Sequence, residues 1–236
     1  MEDEVTKHTK KIYDTVKNPD HTFAHKAKEV VIEIFIIVFA VTLSIWLHSW
    51  SENRHEQKVA REFLNGLKED LAKDIETIKA NQNTIAHLDS NYDFLLSINK
   101  SPAIGDNQLD AEIHRHLTYT LAKTNPNNGR YEGFKSSGKI ETIENAGLKN
   151  NILIYYQQTL PKLISSEAYV NSLQLKILDL DIDKNEKVPM REFVTTEKMQ
   201  GLFGLASHNF KVNSEYYAEA LRQGNEIISE IQKEAN

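Results

Sequence analysis

Hydrophobic residues follow two regimes along this chain. Between residues 30 and 50, VVIEIFIIVFAVTLSIWLHSW, they are almost continuous; from Glu52 onward they recur at three- and four-residue steps among charged neighbours. As a helix the continuous block spans about 31 Å, one hydrocarbon core. From Ile34 to Trp50 it holds no Asp, Glu, Lys or Arg, and Trp46 and Trp50 close it where indole rings favour the headgroup layer. The block starts too late and runs too long for a cleavable leader, and no small-x-small site follows it. It predicts one uncleaved transmembrane helix over 30–50, behind an N-terminal tail, 1–29, and ahead of a helical domain, 51–236.

The second regime predicts an all-α domain. Leu64, Leu67, Leu71, Ile75, Ile78, Ile85, Leu88, Tyr92 and Leu95 keep helical spacing from Glu52 to about Ser97, interrupted only by Gly66. The membrane helix therefore continues into a long helix of an antiparallel bundle. A break follows at SPAIGDNQ, 101–108. A second helix is predicted over 109–123 on Leu109, Ile113, Leu117 and Leu121. Then come a TNPNNG loop at 124–129, short turns through Gly138, and a third long helix over 148–178 that Pro161 kinks or divides. After a loop at 181–190, helices over 191–205 and 213–233 close the domain. No strand alternation stands out.

Two features of the apolar block bear on packing. Glu33 lies one turn inside it, where a carboxylate either snorkels to the interface or packs against a second helix. Glu33, Ile37, Ala40, Ser44 and Leu47 share one face, and Ala40 with Ser44 forms a small-xxx-small pair that lets two helices approach closely.

Several stretches resemble a widespread family of small membrane proteins of Bacteroidota, itself of unknown function. In that family an early Glu opens the apolar helix, a Trp-x-Glu closes it, and a Leu-Lys-Glu-Asp-Leu helix follows. Here Glu33 or Glu29 matches the early Glu, Trp50 and Glu52 the close, and GLKEDL, 66–71, the helix. YEGFKSSGKIETIENAGLKNNILIYYQ, 131–157, is similar to the family's Tyr-Glu-Ser-Leu-Lys-Ser-Ser-Gly segment and its Tyr-Tyr helix, and YYAEALRQGNEIISEIQKEA near the end also looks similar. The family's membrane-helix glycines are missing, and its Asn-Asn is His48-Ser49. The resemblance implies a helical inner-membrane protein and carries no activity, cofactor or catalytic residue.

Charge narrows the partners. The net charge is −6, and residues 51–236 alone carry 22 basic and 27 acidic side chains with no basic stripe, which argues against nucleic acid. The absence of cysteine excludes disulfides and thiol chemistry. Six lysines precede the apolar block and six basic residues follow it within 30 positions, so the positive-inside rule is nearly tied. The short tail before a large domain favours a cytoplasmic N-terminus and, in a diderm bacterium, a periplasmic C-terminal domain.

The sharpest chemical pattern is DIDKNEKVPMREF, 181–193. Asp181, Asp183, Asn185 and Glu192 fall on the oxygen-ligand positions of a Ca²⁺-binding EF-hand loop, but Glu186 stands where the sharp turn calls for Gly. A solvated helix connection is the competing reading. His114 and His116 are two apart and diverge on a helix; His21 and His25 have helical zinc spacing without an evident third ligand. Tyr155-Tyr156 and Tyr216-Tyr217 read as helix packing. No nucleophile elbow and no phosphate loop is present. The sequence is read as a membrane-anchored, non-enzymatic interaction or scaffold module without a cofactor, with the lipid bilayer and a second copy or another membrane protein as partners. The alternative is an anchored sensor that signals through a partner.

Overall fold

The computed structural model describes residues 2–17, 23–98 and 106–234, and every regular element in them is helical. In order these are α1 (Glu2–Lys17), α2 (Phe23–Ser97), α3 (Asp106–His116), α4 (Gly129–Ser136), a 3₁₀ turn (Lys139–Thr142), α5 (Ala146–Ile154), a π turn (Tyr155–Thr159), α6 (Leu160–Asp183), α7 (Met190–Val194) and α8 (Glu197–Glu234). The chain divides into two compact units, residues 1–59 and 60–236. His21 and most of the 101–108 break lie outside the described residues, as does the His25 side chain.

In the first unit, residues 2–17 of the expected tail form α1, and α2 begins at Phe23. The apolar part of α2 is exposed nearly all round, Phe35 by 68% and Ile45 by 62%. Glu33 is the exception. It is only 5% exposed, and Lys11 of α1 donates to its Oε2 at 3.2 Å.

The second unit starts where burial starts. On α2 the buried positions follow two interleaved seven-residue series, Ala60, Leu67, Asp74, Leu88, Leu95 and Leu64, Leu71, Ile78, Ile85, Tyr92. On α8 the series are Phe203, Phe210, Tyr217, Gly224, Ile231 and Ala206, Asn213, Ala220, Ile227; on α6, Leu163, Val170, Ile177 and Leu160, Glu167, Gln174. Helices with two apolar series at this period pack knobs into holes. α8 is antiparallel to both others: Asn213 bonds Ser166 and Thr159 bonds Gln223 across to α6, while Gln200 meets the Leu95 carbonyl and Ser207 meets Asp89 on α2.

Three local features have identifiable causes, and the first and third of them depart from the sequence expectations. First, α3 stops at His116, and residues 117–128 carry no regular secondary structure instead of continuing a helix to 123. Second, the long helix over 148–178 is divided near Pro161, one residue after α6 begins. A π turn precedes the proline, which widens the register just where the ring lacks a donor and would crowd the previous turn. Third, α8 is unbroken from 197 to 234, while the interruption falls at Thr195–Thr196. There the Thr196 hydroxyl caps the new helix by accepting from the Met199 amide at 3.3 Å.

Candidate functional site

The heptad series on α2 and α6 contain polar residues where a helix partner would demand apolar ones: Asp74, Glu167 and Gln174. All three face the segment without secondary structure over 118–128, here called the strap. A segment without secondary structure must satisfy its backbone elsewhere, and here side chains of two flanking helices do it. From α6, Gln174 Nε2 donates to the Thr120 carbonyl at 2.8 Å. Asn171 donates to the Ala122 carbonyl at 2.6 Å and accepts from the Ala122 amide at 3.2 Å. Glu167 accepts from the Thr124 amide at 2.7 Å and from its hydroxyl at 2.5 Å. Alternate strap residues meet successive α6 turns because two extended residues advance about 6.6 Å and one helical turn about 5.4 Å. From α2, Asn91 donates to the Thr118 hydroxyl and Asn81 to the Thr124 hydroxyl, each at 3.1 Å. Asp74 takes the Asn127 amide at 3.0 Å and its side chain at 2.7 Å. Tyr217 of α8 completes the Glu167 set with a hydroxyl donated at 2.5 Å.

Beyond the strap lies an aromatic centre. Arg130 Nε donates to Asp70 at 2.8 Å, and its guanidinium fills the space beside Gly66, where a Cβ would fall 2.3 Å away. Tyr131 stacks on Tyr156 with ring centres 4.3 Å apart, Tyr155 meets Tyr156 edge-on at 5.2 Å, and Phe63 stacks on Phe134 at 3.8 Å. Gln157 in the π turn donates to the Tyr131 hydroxyl at 2.9 Å. The hydroxyls of Tyr155 and Tyr156 are buried without a hydrogen-bond partner among the described residues.

Titration follows from this burial. Asp74 is raised above its ordinary value, chiefly by burial, against the lowering effect of the two Asn127 bonds. Burial likewise pushes Tyr155, Tyr156 and Tyr217 up, Tyr217 further through its bond to the Glu167 carboxylate. A tyrosine so raised holds its proton at neutral pH. The arrangement therefore orders chain segments: GLKEDL, the 131–138 segment and the Tyr-Tyr pair, far apart in sequence, meet here.

A family model matches residues 30–181, from the apolar part of α2 through α6. The chain belongs to DUF6090, a family of unknown function. Comparison with curated proteins and with solved structures gives no match. The DUF6090 match takes in the strap, the aromatic centre and their ligating residues on α2 and α6; α8, which supplies Tyr217, lies beyond it, as does the resemblance noted near the C-terminus.

The residues singled out in the sequence are placed as follows. Glu33, Ala40 and Ser44 lie on α2, Ala40 exposed and Ser44 half-buried. Asp181 and Asp183 end α6, Asn185 lies in the following turn and Glu192 in α7. Asp181 pairs with Lys184 at 3.0 Å, beside Tyr119, and Asn185 Oδ1 accepts from the Lys187 amide at 2.9 Å. Glu186 does not take the left-handed turn, because no non-glycine residue among the described ones has positive φ. Among the described residues no three acidic or histidine side chains are grouped so as to hold a metal, so these four are not brought together as a cage. His116 stacks on Phe94 at 4.0 Å. Tyr155, Tyr156 and Tyr217 are core residues, and Tyr216 is half-buried under the Lys162 ammonium. The polar heptad positions Asp74, Glu167 and Gln174 went unread in the sequence, although their recurrence at core spacing was there to be seen.

Proposed function

We propose that this DUF6090 member is a non-enzymatic, membrane-anchored interaction module that holds its helical bundle on the periplasmic side of a bacterial inner membrane. The observation that carries the reading is the contrast along α2. Over its most apolar 18 residues only 6% of the window is buried, whereas beyond residue 60 the same helix supplies two buried series. So large an apolar surface calls for lipid or another apolar partner. The resemblance to the Bacteroidota family supports the inner membrane. Ala40 and Ser44 give the helix a face on which a second copy or another membrane protein can pack.

Two measurements test this. The chain should resist alkaline carbonate extraction from membranes, and a C-terminal reporter should be active only in the periplasm; release by carbonate, or cytoplasmic reporter activity, would overturn the anchor or its orientation. Cross-linking in native membranes should fall when Ala40 and Ser44 are both replaced by Leu, and undiminished cross-linking would remove the packing face.

A further inference from the structure

Two claims on one helix face meet at Glu33. Lys11 and Glu33 are 22 positions apart, which along one straight helix is about 33 Å. Their contact at 3.2 Å therefore requires α1 to fold back on α2. The burial pattern shows which side of α2 it takes. Val31, Phe35 and Val38 are between 57% and 68% exposed. Glu33 is 5% exposed, and Val30 and Ile37, its neighbours on the same face, are half-buried. That face continues through Ala40, Ser44 and Leu47. Ala40, about 10 Å further along the axis than Glu33, is exposed. The face on which a second copy can pack is thus already held at its first end by α1.

We propose that α1 guards the membrane-helix packing face within its own chain: it occupies the Glu33 end, held by the Lys11–Glu33 ion pair, and confines a second copy to the Ala40–Leu47 end. The proposal rests on the packing face of the anchored reading. It commits to a second copy because a two-fold pair of parallel helices sets like residues opposite each other. Ala40 and Ser44 are then small on both sides and let the backbones approach. The charges agree: Lys11 compensates Glu33 inside each chain, so two copies approach without setting bare carboxylates against each other. The bulk of α1 holds the helices apart at that end, and they cross at Ala40 and Ser44.

The chain has no cysteine, so single cysteines in the full chain report contact between copies directly, as disulfide formed on mild oxidation of native membranes. Ser44→Cys should cross-link readily and Ile37→Cys several-fold more slowly. Deleting residues 2–10 keeps Lys11 for Glu33 but removes the length of α1 beyond it. That deletion should raise cross-linking at Ile37→Cys several-fold, towards the Ser44→Cys rate, and leave Ser44→Cys itself little changed. Glu33→Gln, which opens the ion pair, should act in the same direction. Equal rates at the two positions in the otherwise unaltered chain, or no rise at Ile37→Cys on deletion, would overturn the guard. A fall on deletion would also overturn it, by making α1 part of the contact. Absence of cross-linking at Ser44→Cys in every variant is a separate outcome: it removes the packing face itself and the guard with it.

Discussion

Glu167 shows what a single buried carboxylate does in this fold. It is 2% exposed and accepts from an amide and two hydroxyls, so its removal strands three donors. Glu167→Ala should cost about 1–3 kcal/mol for each donor it leaves unpaired. Glu167→Gln, which keeps one carbonyl oxygen, should cost less, and denaturant melts should rank the two in that order. Asp74 ties stability to pH. Its folded pKa is raised, so the folded state holds the proton more tightly than the unfolded chain. Stability from this group is present below the unfolded value and is lost as pH rises through the folded one. Asp74→Asn should therefore gain on the parent as pH increases from about 4, whatever its constant offset; parallel pH profiles would remove Asp74 as the source. Two glycines make a further contrast. A Cβ at Gly66 meets only the mobile end of Arg130, while one at Gly224 comes within 3.3 Å of Ile75 and the Tyr155 hydroxyl. Gly66→Ala should leave the melting temperature level or raised, since Ala gains about 1 kcal/mol in a helix, and Gly224→Ala should lower it by crowding the core.

At the scale of elements, the strap is the part the sequence concealed. Leu109, Ile113 and Leu117 are buried as their spacing predicts, but Leu121, the next in that series, is 47% exposed. Nothing local ends the helix at His116. The alternative to helical hydrogen bonds comes from Asn91, Glu167, Asn171 and Gln174, which lie at least 25 residues away in sequence, so a local pattern could not reveal it. The long period of α2 was legible because one of its apolar series, Leu64, Leu71, Ile78, Ile85 and Tyr92, repeats without a break. The division near Pro161 was legible as a position; its form, a π turn, was not, because the register shift answers to packing of Tyr155 and Tyr156 against α2 and α8. The candidate Ca²⁺ loop is a different case: the residue types match the ligand positions, and α6 runs on to Asp183, so that Asp181 and Asp183 lie within a helix. Addition of Ca²⁺ at millimolar concentration should leave the melting temperature of the chain unchanged; a rise abolished by Glu192→Gln would restore the loop as a site. The strap itself is tested by Asn171→Ala, which should speed exchange of the Ala122 amide more than tenfold while amides in the centre of α8 keep their protection.

For the bundle as a whole, five tyrosines raised by burial, Tyr92, Tyr119, Tyr155, Tyr156 and Tyr217, set an alkaline limit. Unfolded tyrosine ionises near pH 10, so the stability that depends on these neutral phenols should fall steeply above that pH and be intact below it. The share of tyrosinate absorbance that comes from these five should rise together with the loss of helix, while exposed tyrosines such as Tyr169 contribute apart from it. Complete tyrosinate absorbance with the helix intact would mean that the buried phenols ionise inside the folded bundle.

The strap bonds also divide the labour between main chain and side chains. At Thr120 and Ala122 the partners from α6 grip only the carbonyls and amides that every residue possesses, while Thr120, Leu121 and Lys123 turn their side chains outward. The socket therefore reads shape and not letters. Positions 120, 121 and 123 can be rewritten, for instance to carry a fluorophore or a short epitope, provided that proline is kept from position 122, whose amide is donated. The same socket divides the strap by position: 120, 121 and 123 are loose, whereas the Thr118 and Thr124 hydroxyls, the Asn127 side chain and the buried Ala122 are held as closely as the residues that hold them.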